Sequence, residues 1–132
     1  MRIFLDDERL PLDNDDSWAI ARTLDEFYSL LKEAEVLCDP VTEISFDHDL
    51  GAGGEAKHAV QHMIDLELDE PGRHFPELRR VTIHTANTVE LHNMAQRFQC
   101  AAREGIFPGL EVCKKSALWT RYPIDEDLWQ AA

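Results

Sequence analysis

The sequence predicts one α/β domain built on a parallel sheet, and three observations lead to that prediction. Short apolar runs at residues 2–6, 44–47 and 80–84 have the length of buried strands. Amphipathic segments of helical period lie between them. The chain has 132 residues and 44% of them are hydrophobic, which is enough for a single core. Strands alternating with helices in this way are typical of a parallel or mostly parallel sheet.

The first half of the chain predicts two strands, a helix and a third strand. Residues 10–17 are rich in Pro, Asp and Asn, which favours a loop after the first strand, and residues 18–21 read as a short second strand. Thr23 then begins a helix, with Glu26 three residues later as in a capping box. The apolar residues of this helix fall on one face and predict that it packs on the sheet: Leu24, Phe27, Tyr28, Leu31 and Ala34.

The second half predicts two helices, a strand between them and a last strand. Gly51–Gly54 is expected to be a flexible turn into a helix that runs to about Leu68, followed by a loop at 70–76. Asn87 is placed to cap the third helix, with Glu90 three residues on. Residues 110–113 predict a last strand. Residues 105–132 form a C-terminal segment that is expected to pack on the domain through Trp119, Tyr122 and Trp129.

The charge of the chain restricts its ligands. Thirteen basic and 26 acidic residues give a net charge of −13, so the surface as a whole does not attract nucleic acid. A phosphate ligand would need a metal ion to mediate, and divalent cations or basic proteins are the simplest partners. No apolar stretch reaches the roughly 20 residues of a membrane helix, and no signal-like segment opens the chain. A cytoplasmic protein without a membrane partner is expected.

Polar side chains follow three of the predicted strands at the point where each strand ends. In open α/β sheets the carboxyl ends of the strands form the ligand crevice, so these side chains are expected to converge there. The residues in question are Asp6, Asp7, Asp47, His48, Asp49, His84, Thr85 and Asn87.

The acidic residues among them suit a divalent metal. Mg²⁺ takes few carboxylates and keeps several waters, which fits Asp6 and Asp7 at a strand end. Asp47 and Asp49 are one residue apart, so an extended backbone directs both to the same side, where they repel or recruit a cation. Solvated acids in an acidic chain remain the alternative interpretation.

The remaining polar residues suit a phosphate and proton transfer. His48 and His84 could act as general acid–base groups near neutral pH. Thr85 could donate its hydroxyl to a phosphate oxygen, and Arg9 could clamp a phosphate. Asn87 has a competing explanation as a helix cap, although a helix N-terminus also favours an anion.

Three motifs carry a family resemblance: residues 4–9 followed by Pro11, residues 44–51, and His-Thr-x-Asn at 84–87. Together they resemble the receiver-like family named for cyclic-phosphate processing, a divergent relative of two-component receiver domains, over roughly residues 1–98. Thr85 stands where that family usually has Ser, and Val89-Glu90 where it often has Gly.

The resemblance implies a receiver-like (flavodoxin-like) three-layer α/β sandwich with a parallel sheet of four to five strands. It also implies that Asp6 and Asp7 hold Mg²⁺, that Asp47 takes the phosphoacceptor position and that Thr85 contacts phosphate. For the lysine that ordinary receivers carry on the fifth strand, only Lys114 or Lys115 is available.

These observations favour a metal-dependent phosphoesterase acting on a phosphate ester, such as a 2′,3′-cyclic phosphate of RNA or of a nucleotide. Mg²⁺ or Mn²⁺ would be held by Asp6, Asp7, Asp47 and Asp49, and the partner would be a phosphate-containing small molecule or an RNA end. Two alternatives stay open. One is a non-catalytic regulatory module phosphorylated on Asp47, and the other is an acidic domain that binds a protein partner.

Overall fold

The fold was described from a computed structural model, in which residues 1–12, 17–115 and 120–123 are described. Seven strands and three α-helices follow one another in these ranges. The strands are β1 (Arg2–Leu5), β2 (Leu10–Pro11), β3 (Trp18–Ala21), β4 (Glu43–Phe46), β5 (Arg80–Ile83), β6 (Glu111–Lys114) and β7 (Thr120–Arg121). The helices are α1 (Leu24–Val36), α2 (Lys57–Asp69) and α3 (Thr88–Arg103).

Five strands form one sheet in the order β3-β1-β4-β5-β6, and every neighbouring pair is parallel. When these five are numbered along the chain, the order is 2-1-3-4-5, the flavodoxin-like order of doubly wound sheets. The predicted flavodoxin-like α/β class is therefore confirmed, and the predicted last strand is β6. The strand order reverses at β1 and β4, which is where such sheets bind their ligands.

A second, small sheet corrects the prediction that residues 10–17 are a loop. Leu10 and Pro11 form β2, which pairs antiparallel with β7. The partner strand lies more than a hundred residues away in sequence, so nothing near residue 10 signals the pairing. Proline is compatible with a strand at the edge of a sheet, because its missing N–H can face away from the partner. Residues 13–16 lie outside the described ranges.

The helix boundaries agree closely with the predicted caps. The Thr23 hydroxyl accepts a hydrogen bond from the backbone N–H of Glu26 over 3.1 Å, and the Asn87 side chain accepts one from Glu90 at the same distance. The glycine-rich segment before α2 is partly ordered into a short 3₁₀ helix at Gly51–Gly53. No helix in the described part of the chain is long and apolar enough to cross a membrane.

All three described helices pack on the same face of the sheet, so the described residues show the sheet and one helical layer of the predicted three-layer sandwich. Their buried residues share one core cluster with Ile3, Leu5, Ile44, Phe46, Val81 and Ile83, which are alternate residues of β1, β4 and β5. Side chains alternate between the faces of a strand, so Phe4, Ser45 and Thr82 point to the other face, where they are also buried. Asp6, Asp47 and His84 follow them at the same spacing. The polar residues of the site therefore begin on the face opposite the helices.

The C-terminal segment contributes at two places. β6 completes the main sheet, and β7 pairs with β2 and places Tyr122 beside the strand ends. The Tyr122 side chain is exposed there, at 63% of its full accessibility. Trp119 and Trp129, which were expected to pack on the domain, lie outside the described ranges.

Candidate functional site

Three carboxylates meet where β1 and β4 end. Leu5 and Phe46 are register partners, and the Asp47 N–H donates to the Leu5 carbonyl over 2.8 Å, so residues 6 and 47 leave the sheet side by side. The chain bends at residues 7–8, which brings the third carboxylate, Asp7, to the same place. Ligand oxygens of Asp6, Asp7 and Asp47 all lie within 4.8 Å of one another. Sequence reasoning placed these three residues at a common crevice, and the structure brings them together.

Asp6 is fully buried and held as an anion. Its Oδ1 accepts the backbone N–H groups of Glu8 and Arg9 at 2.9 and 2.8 Å, and its Oδ2 accepts His84 Nε2 and Arg9 Nε, each at 3.0 Å. Burial alone would raise the pKa of Asp6. The hydrogen bonds from His84 and from the two backbone groups outweigh it and lower the pKa to about 2.

His84 links Asp6 to the interior of the sheet. Its Nδ1 lies 2.6 Å from Ser45 Oγ, its Nε2 faces Asp6, and its ring stacks on Phe4 with centroids 4.7 Å apart. Because ionised Asp6 can only accept, we place a proton on Nε2, and in the neutral ring Nδ1 then accepts from the Ser45 hydroxyl. We refer to this Ser45–His84–Asp6 arrangement as the buried hydrogen-bond chain. All three side chains are inaccessible to solvent.

Two arginines hold the loop that carries the first carboxylates. Arg9 lies between Asp6 and Asp47, with Nε 3.0 Å from Asp6 Oδ2 and Nη2 3.2 Å from Asp47 Oδ2. Burial lowers the pKa of Arg9, but the charges of Asp6 and Asp47 outweigh it, so the net shift is upward and the guanidinium stays charged. From the end of β3, Arg22 Nη1 donates to the backbone carbonyls of Asp6, at 3.0 Å, and of Arg9, at 2.6 Å.

The charges of this cluster fit a divalent cation. Three carboxylates face one guanidinium, which leaves two negative charges without a cationic partner in the cluster. Burial, followed by repulsion from Glu8, Asp6 and Asp47, raises the pKa of Asp7. Oxygen donors of this kind are the ligands that Mg²⁺ and Mn²⁺ prefer. Gly51, whose φ is +58°, borders Asp7, and a Cβ there would stand 3.4 Å from Asp7 Oδ2.

The cluster opens into a cavity of about 420 Å³ at the ends of the strands. Its floor is acidic, and its far wall is the segment that leads into α3. The lining residues are Asp7, Glu8, Arg9, Asp47, Asp49, Gly51, Thr85, Ala86, Asn87 and Tyr122. A larger cavity, of about 610 Å³, lies between α1, α2 and the 70–76 loop, and it shares none of these residues. The smaller cavity is the one lined by two of the three clustered carboxylates, Asp7 and Asp47.

The far wall offers donors to an anion. Thr85 is buried, and its Oγ1 accepts the N–H of Asn87 over 3.1 Å. Asn87 uses its Oδ1 to cap α3, as predicted, so its amide nitrogen remains available as a donor. The N-terminal end of a sixteen-residue helix adds free backbone N–H groups and the positive end of the helix dipole. Thr85 and Asn87 thus lie where sequence reasoning placed phosphate contacts.

His48 and His84, the two histidines predicted to act as acid–base groups, do not line the cavity. His84 lies beneath it in the buried hydrogen-bond chain. His48 is buried between the start of α2 and the start of α3, with Nε2 3.4 Å from Glu55 and Nδ1 3.7 Å from Glu90. The separation between Nδ1 and Glu90 is too long for a hydrogen bond, and Nδ1 has no other hydrogen-bond partner among the described residues.

Three other residues considered in the sequence analysis lie away from the central cluster. Asp49 is exposed, lines the cavity and accepts the Gly51 N–H, but it is not part of the group of three close carboxylates. Lys114 and Lys115 are exposed at the end of β6, and neither lines the cavity. Within the described residues, Arg9 rather than a lysine is the cation of this site.

Sequence reasoning missed Ser45, Arg22 and the contribution of Tyr122 to the site. Ser45 is a hydroxyl inside an otherwise apolar strand, two residues before Asp47 and therefore on the same side of the sheet, and that pattern was a usable signal. Arg22 directly follows β3, whose end lies beside that of β1. Tyr122 offered no signal, because it reaches the cavity through the long-range pairing of β7 with β2.

Parallel strands in flavodoxin-like order, with clustered acids at the strands where the order reverses, define a receiver-like α/β domain. The sequence model of the Cyclic-phosphate processing Receiver domain matches residues 1–99 of the 132. The chain belongs to the cyclic-phosphate processing receiver family. No curated protein and no solved structure gives a significant match.

Proposed function

We propose that this protein is a metal-dependent phosphoesterase that acts on a phosphate ester, with a 2′,3′-cyclic phosphate of RNA or of a nucleotide as its substrate. One observation carries the proposal. The carboxylates of Asp7 and Asp47 face the same cavity as Thr85, Asn87 and the N-terminus of α3. A site that is cation-binding on one side and anion-binding on the other suits a metal–phosphate pair.

Asp6, Asp7 and Asp47 would hold Mg²⁺ or Mn²⁺, each through one oxygen. When bound, such an ion neutralises phosphate charge and lowers the pKa of a coordinated water. The buried hydrogen-bond chain and the two backbone donors fix the orientation of Asp6. Arg22 holds the loop around it. Arg9 occupies Oδ2 of both Asp6 and Asp47 and would release at least one of these contacts when an ion binds.

The other residues of the cavity bind and orient the ester. The Thr85 hydroxyl, the Asn87 amide and the first backbone N–H groups of α3 donate to phosphoryl oxygens. Asp7 lines the cavity, and burial, followed by repulsion from the neighbouring carboxylates, raises its pKa in the metal-free site, which favours the binding of a cation there. His84 acts as a positioning residue for Asp6, since it does not line the cavity.

The proposal is tested by following adenosine 2′,3′-cyclic phosphate by ³¹P NMR with Mn²⁺ or Mg²⁺. We expect ring opening that stops on addition of EDTA and is lost in Asp47→Asn. Asp69→Asn is the matched control, because it makes the same change at an exposed carboxylate at the end of α2. The ratio of 2′- to 3′-monophosphate shows which P–O bond breaks.

Absence of turnover with either metal would refute the phosphoesterase. Labelling of Asp47 by acetyl phosphate in that case would favour the regulatory alternative. If neither reaction occurs, the acidic protein-binding alternative gains support. The three outcomes therefore separate the three functions.

A further inference from the structure

Tyr122 is placed at the site by the small antiparallel sheet. β2 follows Arg9 directly in the chain, and its pairing with β7 brings the following residue, Tyr122, to the mouth of the cavity. Tyr122 is 63% exposed as a residue, although it lines the same cavity as Asp7 and Asp47. An aromatic residue is thus exposed to solvent beside Asp7 and Asp47.

The rest of the cavity suits only the phosphate end of a substrate. Four of its described lining residues are carboxylates, and the others are an arginine, two small residues, a hydroxyl and an amide. Among the described lining residues Tyr122 carries the only ring and the only extended apolar surface. The organic part of an ester has no other apolar surface to contact in the part of this lining that the structure describes.

The volume of the cavity also indicates a ligand larger than a phosphate group. At about 420 Å³ it lies in the range of sites for small organic molecules and exceeds what a phosphate group alone would fill. A flat exposed ring next to a phosphate site is the arrangement by which proteins stack nucleobases, with a gain of roughly 5- to 150-fold in affinity per base.

We infer that Tyr122 stacks on the base of the substrate and so selects a nucleotide or an RNA end over a small aliphatic cyclic phosphate. The inference rests on the proposed phosphoesterase function and adds to it the residue that recognises the base. Stacking on a remote base contributes equally to the ground state and the transition state. It therefore affects KM and leaves kcat nearly unchanged.

The test compares two substrates that share the five-membered cyclic phosphate. Adenosine 2′,3′-cyclic phosphate carries a base and glycerol 1,2-cyclic phosphate does not. We expect Tyr122→Leu to raise KM about tenfold for the adenosine compound, with kcat within about twofold, and to leave the glycerol compound unchanged. Tyr122→Phe keeps the ring and should behave as the wild type. Equal effects on both substrates, or no effect on either, would overturn the inference while the phosphoesterase stands.

A second measurement does not depend on turnover. Calorimetry with adenosine 3′-monophosphate and Mg²⁺ compares the wild type with Tyr122→Leu. Weaker binding in the variant, by about tenfold, supports stacking even if neither cyclic phosphate is hydrolysed, in which case only the catalytic proposal fails. Equal binding, or no binding by the wild type, overturns the role of Tyr122.

Discussion

His84 donates its Nε2 proton to Oδ2 of Asp6 over 3.0 Å, and both side chains are fully buried. With Ser45 on the other ring nitrogen, the residue types are those of a serine hydrolase triad. Here the serine is fully buried inside β4. The same three groups therefore hold the Asp6 carboxylate in place.

Removal of the Ser45 hydroxyl is expected to destabilise the protein. Ser45→Ala deprives the buried His84 Nδ1 of its 2.6 Å partner, and a buried polar group that loses its partner costs about 1–3 kcal/mol. Urea unfolding at pH 7 gives the change in free energy. Ser29→Ala makes the same chemical change on the exposed side of α1 and should stay within about 0.5 kcal/mol of the wild type. Equal stabilities for the two variants would contradict the role of the buried hydrogen-bond chain.

Stability should depend on pH through Asp6. Its pKa is about 2 in the folded protein against a model-peptide value of 3.8, so the unfolded chain takes up the proton first as the pH falls. The stabilisation, about 2 kcal/mol, is fully present above roughly pH 4 and is lost as the pH falls towards 2. Unfolding by urea between pH 6 and pH 2.5 in metal-free buffer measures it.

Asp6→Asn isolates this contribution, because asparagine keeps the shape and does not ionise. The stability gap between wild type and variant should narrow as the pH falls below about 4. Asp7 acts with the opposite sign, but the largest cause of its raised pKa is burial, which both proteins share, so most of its effect cancels. A gap that stays constant down to pH 2.5 would show that Asp6 titrates normally.

Arg22 is expected to control metal affinity without touching the metal. Its guanidinium holds the backbone of the loop at Asp6 and Arg9, and hydrogen bonds to a charged donor are worth about 1.5–3 kcal/mol each. Arg22→Ala should weaken Mn²⁺ binding by about tenfold or more in calorimetry while the far-UV circular dichroism spectrum is kept. Arg103→Ala removes an exposed arginine at the end of α3 and should leave the affinity unchanged. Unchanged affinity in Arg22→Ala would mean that the loop is rigid without this contact.

We expect Arg9 and a metal ion to compete for the same carboxylate oxygens. Arg9→Gln removes the guanidinium from between Asp6 and Asp47, so the unliganded protein should lose stability through repulsion among the carboxylates. Added Mg²⁺ should then raise Tm by more in the variant than in the wild type. Thermal unfolding with and without the ion measures both effects. A smaller rise in the variant would show that Arg9 assists metal binding.

The sheet, the helix caps and the acidic cluster were predictable because each leaves a local signal. Apolar runs that end at Asp6 and Asp47 predicted the strand ends. Thr23 and Asn87, as N-cap residues, predicted where α1 and α3 begin. The positions of His84 and His48 were harder to predict from the sequence. His84 lies under the cavity because the pleat of β5 places it on the buried side with Thr82, and His48 turns towards Glu55 and Glu90 once the chain leaves β4.

The contact that escaped prediction entirely is the pairing of β2 with β7. Each of these strands has only two residues, which is too short to show a periodicity. The proline at position 11 also favoured a loop over a strand. β2 and β7 pair because the tertiary structure brings them together after β6. No short segment of the sequence indicates this contact.

That pairing also orders the events of folding. The carboxylates of Asp6 and Asp47 can come together once the first 47 residues are available, since they need only β1 and β4. The contact between Leu10 and Arg121 closes a loop of more than a hundred residues, which is slow and entropically costly. During synthesis a growing chain could therefore bring Asp6 and Asp47 together well before the mouth of the cavity exists.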